Sequence, residues 1–535
     1  MARRWFWVWL VALSVFFVLS AGYNLSNYRP INDDDATIMS VSHKLATEGL
    51  FGSDLYAGFL DADRCYYGHL PVYSILQAIT FKLAGTGVAQ ARCVSVTGAV
   101  VLLWVVSGLA HRWYGPCVGA LTALLLVFWR FELTGASTGL PMLGLARAGR
   151  YDIVAIAWVW IAIALLDQLL RRPGRPLGLA LGTCCGVAAL TQFFGWFVGP
   201  LVAVAWFWLR GRRALRDPIS YWIAAGFTVV VLPYIIDVSL NFAAFQTQHT
   251  VMKSDRIDFL RPSFFLDNLR NEPNRLRTLL ERPLPLVSAP YTLGHPFSPW
   301  LLILGFVPAI AALWWRFRHT PELWGNRLLA LSLVIFGGLL ALIDSTKAPV
   351  YAVSLAPSVC VLMAAAVGLV AQRSKQHPWL LVPTLGLLVL VTAEGIGTHW
   401  VDRRAAAAAG DYLAVGRRMN ASLTRGAGVL GADRWWWALP DHPYFSLNAL
   451  FLRWQWMARQ DHQPAELSRF IDETRADYVI VNNDVRGQIA RYPDRLQRQF
   501  RDFLRQRTRL VAEWNDPTYE RIEIHRLERA SEDRG

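Results

Sequence analysis

The stretch WFWVWLVALSVFFVLSAG, residues 5–22, carries no charge, and NDDDATIM, residues 32–39, follows after a short gap. An apolar run of nearly twenty residues has the length a helix needs to cross the hydrocarbon of a bilayer. Three consecutive carboxylates, Asp33, Asp34 and Asp35, stand just beyond its end. Acids beside an apolar body are costly to desolvate, so a cluster in this place invites a functional explanation.

The rest of the chain extends the same picture. A soluble chain carries about a quarter charged residues, whereas here the fraction is 17%, with 54% hydrophobic residues and 24 Trp among 535. Repeated apolar stretches of about 20 residues indicate a polytopic α-helical membrane protein. The net charge of +14 would suit nucleic acid, but much of it lies in short loops between apolar runs. That pattern sets membrane orientation, so the expected partner is the lipid bilayer and not nucleic acid. No small-residue cleavage site follows the first apolar run before Tyr23-Asn24-Leu25, which reads as a retained span. Cys93, Cys117, Cys184, Cys185 and Cys360 fall in or beside apolar runs and Cys65 in a loop, with neither metal spacing nor a disulfide framework.

Eleven spans are expected, at residues 5–22, 90–110, 116–134, 151–170, 177–191, 194–210, 220–240, 299–315, 327–344, 349–371 and 379–399. Segment 71–84 is apolar but short and reads as an interfacial or re-entrant helix; if it crosses, the count is twelve. With a cytoplasmic N-terminus, the loops on that side hold Arg112, Arg171, Arg172, Arg210, Arg212, Arg213, Arg316, Arg318, Arg373 and Lys375, among others, opposed only by Asp217 and Glu322. This bias supports the orientation and disfavours the even count. Loops 23–89, 135–150, 241–298 and 344–349 then share the outer side with everything after about residue 400.

Residues 1–400 thus form the membrane domain and 401–535 a small soluble domain. In the latter, helix-like stretches (411–423, 464–476, 494–513) alternate with strand-like runs (428–431, 478–481, 519–524), which indicates an α/β domain. Trp435-Trp436-Trp437 either dock it on the bilayer, touch substrate or pack in its core.

The acid cluster has two readings. Asn32 or Asp33 caps a helix whose first turn suits acids, and nothing more is needed. Alternatively, Asp34, Ile38, Val41 and Leu45 share one face and direct a carboxylate into the protein, with Asp35 turned about 100° away.

Three further stretches complete a pattern. Asp34-Asp35 opens a helix-like segment ending at Gly49, followed by Gly68-His69-Leu70-Pro71-Val72-Tyr73-Ser74. Arg147-Ala148-Gly149-Arg150-Tyr151-Asp152 leads into a middle span, and Lys347-Ala348-Pro349-Val350-Tyr351, then Pro357, lies late in the apolar region. In this order and on one side, these stretches resemble the membrane glycosyltransferases of the GT-C superfamily. The likeness is to bacterial relatives of protein O-mannosyltransferases and of the lipid A aminoarabinose transferase, and it covers about residues 5 to 400. Two positions depart from the family pattern: Asp35 stands for the commoner Glu, and Gln192 where relatives often have Lys.

The resemblance implies transfer of a sugar from a polyprenyl-phosphate donor, with inversion, to a lipid, glycan or protein acceptor. An acceptor hydroxyl needs a base near the sugar C1, and a phosphate leaving group needs cationic partners. Asp34 is then the expected catalytic base, with Asp35 orienting the acceptor or Asp34. Lys347, Tyr351, Arg150 and Arg147 are the expected donor-phosphate contacts, and Asp152, His69 and Tyr73 the substrate contacts. The long outer loop adds Arg256, Arg261, Arg270, Arg275, Arg277 and Arg282, one or two of which would touch phosphate. His43, His69, His249 and His295 give no metal-binding spacing; the family likeness leaves a divalent metal open, and no other cofactor is implied. The implied location is the bacterial inner membrane, multi-pass, with the C-terminal domain periplasmic. Two other classes compete. A transporter or flippase for a lipid-linked saccharide would place polar groups at mid-membrane and often show paired repeats, and no repeat appears. A membrane-anchored binding protein would not need eleven spans.

Overall fold

The computed structural model describes residues 2–130, 140–253, 261–275, 310, 324–374, 376, 379, 381–460 and 466–528. Its helices are α1 (Ala2–Gly22), α2 (Asp33–Glu48), α3 (Pro71–Ala84), α4 (Val88–Tyr114), α5 (Pro116–Phe128), α6 (Pro141–Arg147), α7 (Tyr151–Arg171), α8 (Arg175–Ala189), α9 (Val198–Arg210), α10 (Pro218–Leu240), α11 (Phe242–Lys253), α12 (Pro262–Arg270), α13 (Trp324–Ile343), α14 (Ala356–Arg373), α15 (Leu381–Ala408), α16 (Tyr412–Ala421), α17 (Leu447–Gln460), α18 (Leu467–Thr474), α19 (Asn483–Ile489) and α20 (Asp494–Arg507). Among the described residues, eight helical stretches are long and apolar enough to cross a membrane, and α5 and α8 are shorter apolar helices at two further expected spans. The expected span 299–315 and the residues Arg256, Arg277, Arg282 and His295 lie outside the described residues. Segment 71–84 forms α3, only 14 residues long, about 21 Å and so shorter than a bilayer's hydrocarbon.

The chain is a multi-pass membrane protein, and its helices show why. On α1, Phe6, Leu10, Leu13 and Phe17 are buried at alternating spacings of four and three, while Trp5, Val8, Val11, Val15 and Leu19 face outward. In lipid an outward apolar face is no liability, so the inward stripe is set by packing. Packing of α8 on α10 depends on small residues. A β-carbon on Gly182 would sit 1.9 Å from the Ile223 carbonyl oxygen, and one on Gly226 would sit 2.2 Å from that of Leu179. These are backbone-to-backbone approaches that only glycine allows. The opposite flank of α10, with Tyr221, Val229, Leu232 and Ile236, is exposed and left for lipid.

The C-terminal region is a mixed five-stranded sheet with helices. The strands are β1 (Val429–Gly431), β2 (Tyr444–Ser446), β3 (Tyr478–Asn482), β4 (Thr508–Asp516) and β5 (Glu520–Leu527), in the order β2-β1-β3-β5-β4. β1 pairs parallel with β2 and β3, whereas β5 pairs antiparallel with β3 and β4, with Ile480 opposite Ile524. One sequence expectation is corrected here. The helix expected over 494–513 ends at Arg507, because Thr508 turns to extended backbone and β4 begins. Asp516 then closes the hairpin by accepting from the Thr518 and Tyr519 amides. The division after residue 400 falls inside α15, which runs on to Ala408.

Two hydrophobic cores result. The first lies within the helix bundle. The second joins the C-terminal region to the connection between α1 and α4: Ile31, Ala36, Met39, Tyr56 and Phe81 pack in one cluster with Trp435, Leu447, Phe451 and Val479. Of the three adjacent tryptophans, Trp435 is fully buried, between Tyr412 and Tyr519. Trp436 and Trp437 meet His43 of α2 edge-on, so they join the C-terminal region to the acid-bearing helix.

Candidate active site

Helix α2 begins where the sequence places its cap. The Asn32 side chain accepts from the Asp35 amide at 2.8 Å, and Gly49, with φ of 75°, ends the helix in the left-handed region. Three acids in the first turn are therefore fixed in direction. Asp35 points inward and is buried, with Arg92 at 3.5 Å. Burial outweighs the pull of Arg92 and Arg150 and pushes its carboxyl up to about 6. The inward carboxylate is thus that of Asp35 and not that of Asp34; Ile38 packs in the helix-bundle core, and Val41 in the core shared with the C-terminal region. The Asp34 side chain is 60% exposed and its carboxylate accepts from Arg150 at 3.0 Å.

Asp34 lines a cavity of about 1060 Å³. Its polar end includes Asp33, Asp34, His69, Arg150, Gln192 and Tyr351, and its apolar part includes Trp196, Phe197, Pro200, Ile235, Val238 and Leu339. Residues from every loop expected on the outer side line this one space: Asp34 and Tyr66 from the first, Arg150 from the second, Phe242 and His249 from the third, Asp344 and Thr346 from the fourth. Asn448 and Leu452 of α17 join them. The gathering inferred from loop charge is therefore observed as a single cavity.

Arg150 is the hub of the polar end. Its Nε donates to Asp152 Oδ2 at 2.8 Å while Nη1 donates to Asp34. Asp152 is fully buried, and its other oxygen accepts from Gln192 Nε2 at 3.2 Å. An arginine fork suits this double task because it presents separate donors in fixed directions. His69 lies between the rings of Tyr66 and Tyr151, at 5.7 and 5.6 Å.

Other expected site residues sit behind the wall. Lys347, at φ of 50°, is buried and donates to Glu272 at 2.8 Å and to the Ala341 carbonyl at 2.7 Å. Arg275 binds the same Glu272 and also Asp344. Arg147 pairs with Asp402 at 3.2 Å and caps carbonyls of α1 and its exit, at Ser20 and Tyr23. Tyr73 is buried and donates to the Gly149 carbonyl, with Ser95 Oγ at 2.7 Å. It shapes the turn that presents Arg150 without lining the cavity.

Sequence reasoning passed over Arg92 and Asn448. Arg92 lies just inside an apolar span, where an unexplained cation is itself a signal. Asn448 gives none, because its position depends on how the distant sheet docks. Among the described residues, no group of three or more His, Cys, Asp or Glu side chains could hold a metal ion.

Two solved structures share this fold. Crystalline ArnT from Cupriavidus metallidurans, bound to undecaprenyl phosphate, superposes with a TM-score of 0.62 at 16% identity, over 98% of each chain. The Archaeoglobus fulgidus oligosaccharyltransferase tethered to an acceptor peptide superposes with a TM-score of 0.54 at 11% identity, over 90% of this chain and 69% of that one. Both belong to the GT-C superfamily, and at these identities the likeness is one of fold. The GT-C-like architecture expected from the sequence is thus observed. No protein-family model and no curated protein sequence matches the chain.

Proposed function

We propose that the chain is an integral-membrane glycosyltransferase that moves a sugar from a polyprenyl-phosphate donor to an envelope lipid, glycan or protein, with inversion, on the outer face of a bacterial inner membrane. The observation that carries this reading is the composition of the cavity. One space joins an apolar flank, bounded by a helix whose outer side is left for lipid, to a polar end holding a carboxylate and a guanidinium 3.0 Å apart. A carrier tail suits the first part and a sugar phosphate the second.

In this reading Asp34 takes the proton of the acceptor hydroxyl as its oxygen attacks the sugar C1. The bond from C1 to the phosphate oxygen breaks, and the phosphate leaves with the electron pair. Arg150, which faces the cavity, and the Tyr351 hydroxyl stabilise that charge. Lys347 and Arg275 act behind them, holding the Asp344–Thr346 wall. Asp152 and Gln192 aim Arg150, and His69 and Tyr151 offer rings against the sugar. Asp35 fixes the helix rather than the acceptor. The cation-rich loops support an orientation with the opposite end of the bundle, and the N-terminus, in the cytoplasm.

The test uses purified protein, polyprenyl-phosphate donors carrying labelled sugars, and envelope lipid, glycan and protein fractions. Label should move to an acceptor, and Asp34→Asn should lower transfer by about 10²–10⁴-fold with unchanged folding. Undiminished turnover in Asp34→Asn would remove it as the base. Movement of intact donor across liposomes, with no covalent transfer, would favour a flippase.

A further inference from the structure

The C-terminal region grips the first turn of α2 through polar groups that the transfer chemistry does not use. Asp433 opens the turn Asp433–Ala438 and is fully buried. Ser446 Oγ donates to its Oδ1, and Thr37 Oγ1 donates to its Oδ2 across 3.4 Å. The side chain of Asn448, which lines the cavity, also hydrogen-bonds to it. Beside it lies Asp33, whose Oδ2 accepts from Gln488 and whose Oδ1 is buried without a hydrogen-bonding partner among the described residues. The nearby cation, Arg434, is committed to Asp484 at 2.5 Å. Two carboxyls therefore lie together with no side-chain cation hydrogen-bonded to either among the described residues, and such a pair retains a proton.

We propose, building on the transferase reading, that Asp433 is a positioning residue: in its protonated form it joins the C-terminal region to the first turn of α2 and so holds Asp34 at the cavity wall. Thr37 is the physical link, since it lies one turn from Asp33 and Asp34 on the same helix and lines the same cavity. Asn448 is the matching link on the other side. Ionised Asp433 would face Asp33 across that contact and push the two elements apart.

Burial, and then the charge of Asp33, push the Asp433 carboxyl up to about 8. The other groups around it are Tyr56, Tyr66, Tyr444, Tyr492 and Arg434. All four tyrosines are shifted upward and stay neutral in this range. Because the ordinary value is 3.8, the contact should loosen progressively as pH rises from about 4, and the loss should be complete once pH has passed 8.

The test compares full-length wild type with Asp433→Asn in detergent by hydrogen exchange of residues 33–48 between pH 6.5 and 9.5, each corrected for intrinsic rate. Asn offers one acceptor and one donor, as a protonated carboxyl does. Wild type should lose protection by about thirtyfold between pH 6.5 and 9.5 (about 10^1.5, from the interval between 6.5 and the folded value near 8), with most of the loss before pH 8.5 and a plateau beyond, whereas Asp433→Asn should not. An Asp33→Asn chain, should the first variant fold poorly, should lose protection by at most a few-fold over the same range. Equal alkaline loss in wild type and variants would overturn the proposal. Transfer activity measured alongside should show an alkaline fall in kcat that Asp433→Asn abolishes. A chain with no transferase activity would refute the transferase reading, while the exchange data would still decide the clamp.

Discussion

Arg150→Ala separates two ion pairs that share one guanidinium. The pair with Asp34 involves a carboxylate whose side chain is 60% exposed, and such pairs contribute about 0–1 kcal/mol. The pair with Asp152 involves a carboxylate that is fully buried. Removing one partner of a buried pair costs about 3–5 kcal/mol, because the charge left behind has neither solvent nor counter-ion. The Gln192 amide at 3.2 Å offsets little of this. Nearly all of the loss should therefore come from the Asp152 side. Arg150→Ala combined with Asp152→Asn should recover most of it, and Arg150→Ala combined with Asp34→Asn should recover almost none. The assay is the thermal midpoint in one detergent, where the entropy of unfolding for a chain of this length makes 3–5 kcal/mol roughly 3–5 °C. Neither double variant should regain transfer activity, since the cation facing the leaving group is gone. If the Asp152→Asn double variant melts as low as Arg150→Ala alone, the stranded carboxylate is not the cause and the reasoning fails.

Two other outcomes follow from the packing. Gly182→Leu should prevent α8 from reaching α10 and abolish the monodisperse detergent-extracted species, whereas Gly199→Ala, with open space around its β-carbon, should leave the elution profile unchanged. For Asp35, the folded value of about 6 lies above its ordinary 3.8, so the folded chain binds the proton more tightly. Its stabilising contribution is complete below about pH 4 and is lost as pH rises through 6, by up to about 3 kcal/mol. Asp35→Asn should flatten the melting midpoint between pH 4 and 7 relative to wild type, and parallel curves for the two chains would contradict that assignment.

Much of the architecture is readable without coordinates, for a physical reason. Hydrocarbon tolerates few charges, so spans and loop sidedness are written in composition, and the convergence of loops 23–89, 135–150, 241–298 and 344–349 on one cavity follows. Asn32 and Gly49 mark the ends of α2 through local backbone rules. What local rules do not settle is which acid turns inward. Apolar spacing associates Asp34 with Ile38 and Val41, yet Asp35 is buried, because Arg92 approaches from one side and residues more than 390 positions away cover the other. Lys347 shows the same limit: its sequence neighbours suggest a phosphate contact, whereas its partner Glu272 lies in a distant loop. Strand β2, three residues long, is too short to show a period, and β4 was obscured by the amphipathic helix running straight into it.

The joining of the connection after α1 to the C-terminal sheet has a consequence for how the molecule is made. Residues 31–81 leave the ribosome early, but the surfaces that cover Ile31, Met39 and Tyr56 come from beyond residue 410 and are translated much later. Until then the acid-bearing helix has an uncovered apolar side and Asp433 is missing from its first turn. Assembly of the candidate site is therefore deferred until the C-terminal region is made, and a ribosome that stalls before residue 430 releases a chain that quality-control proteases can recognise by its exposed apolar residues.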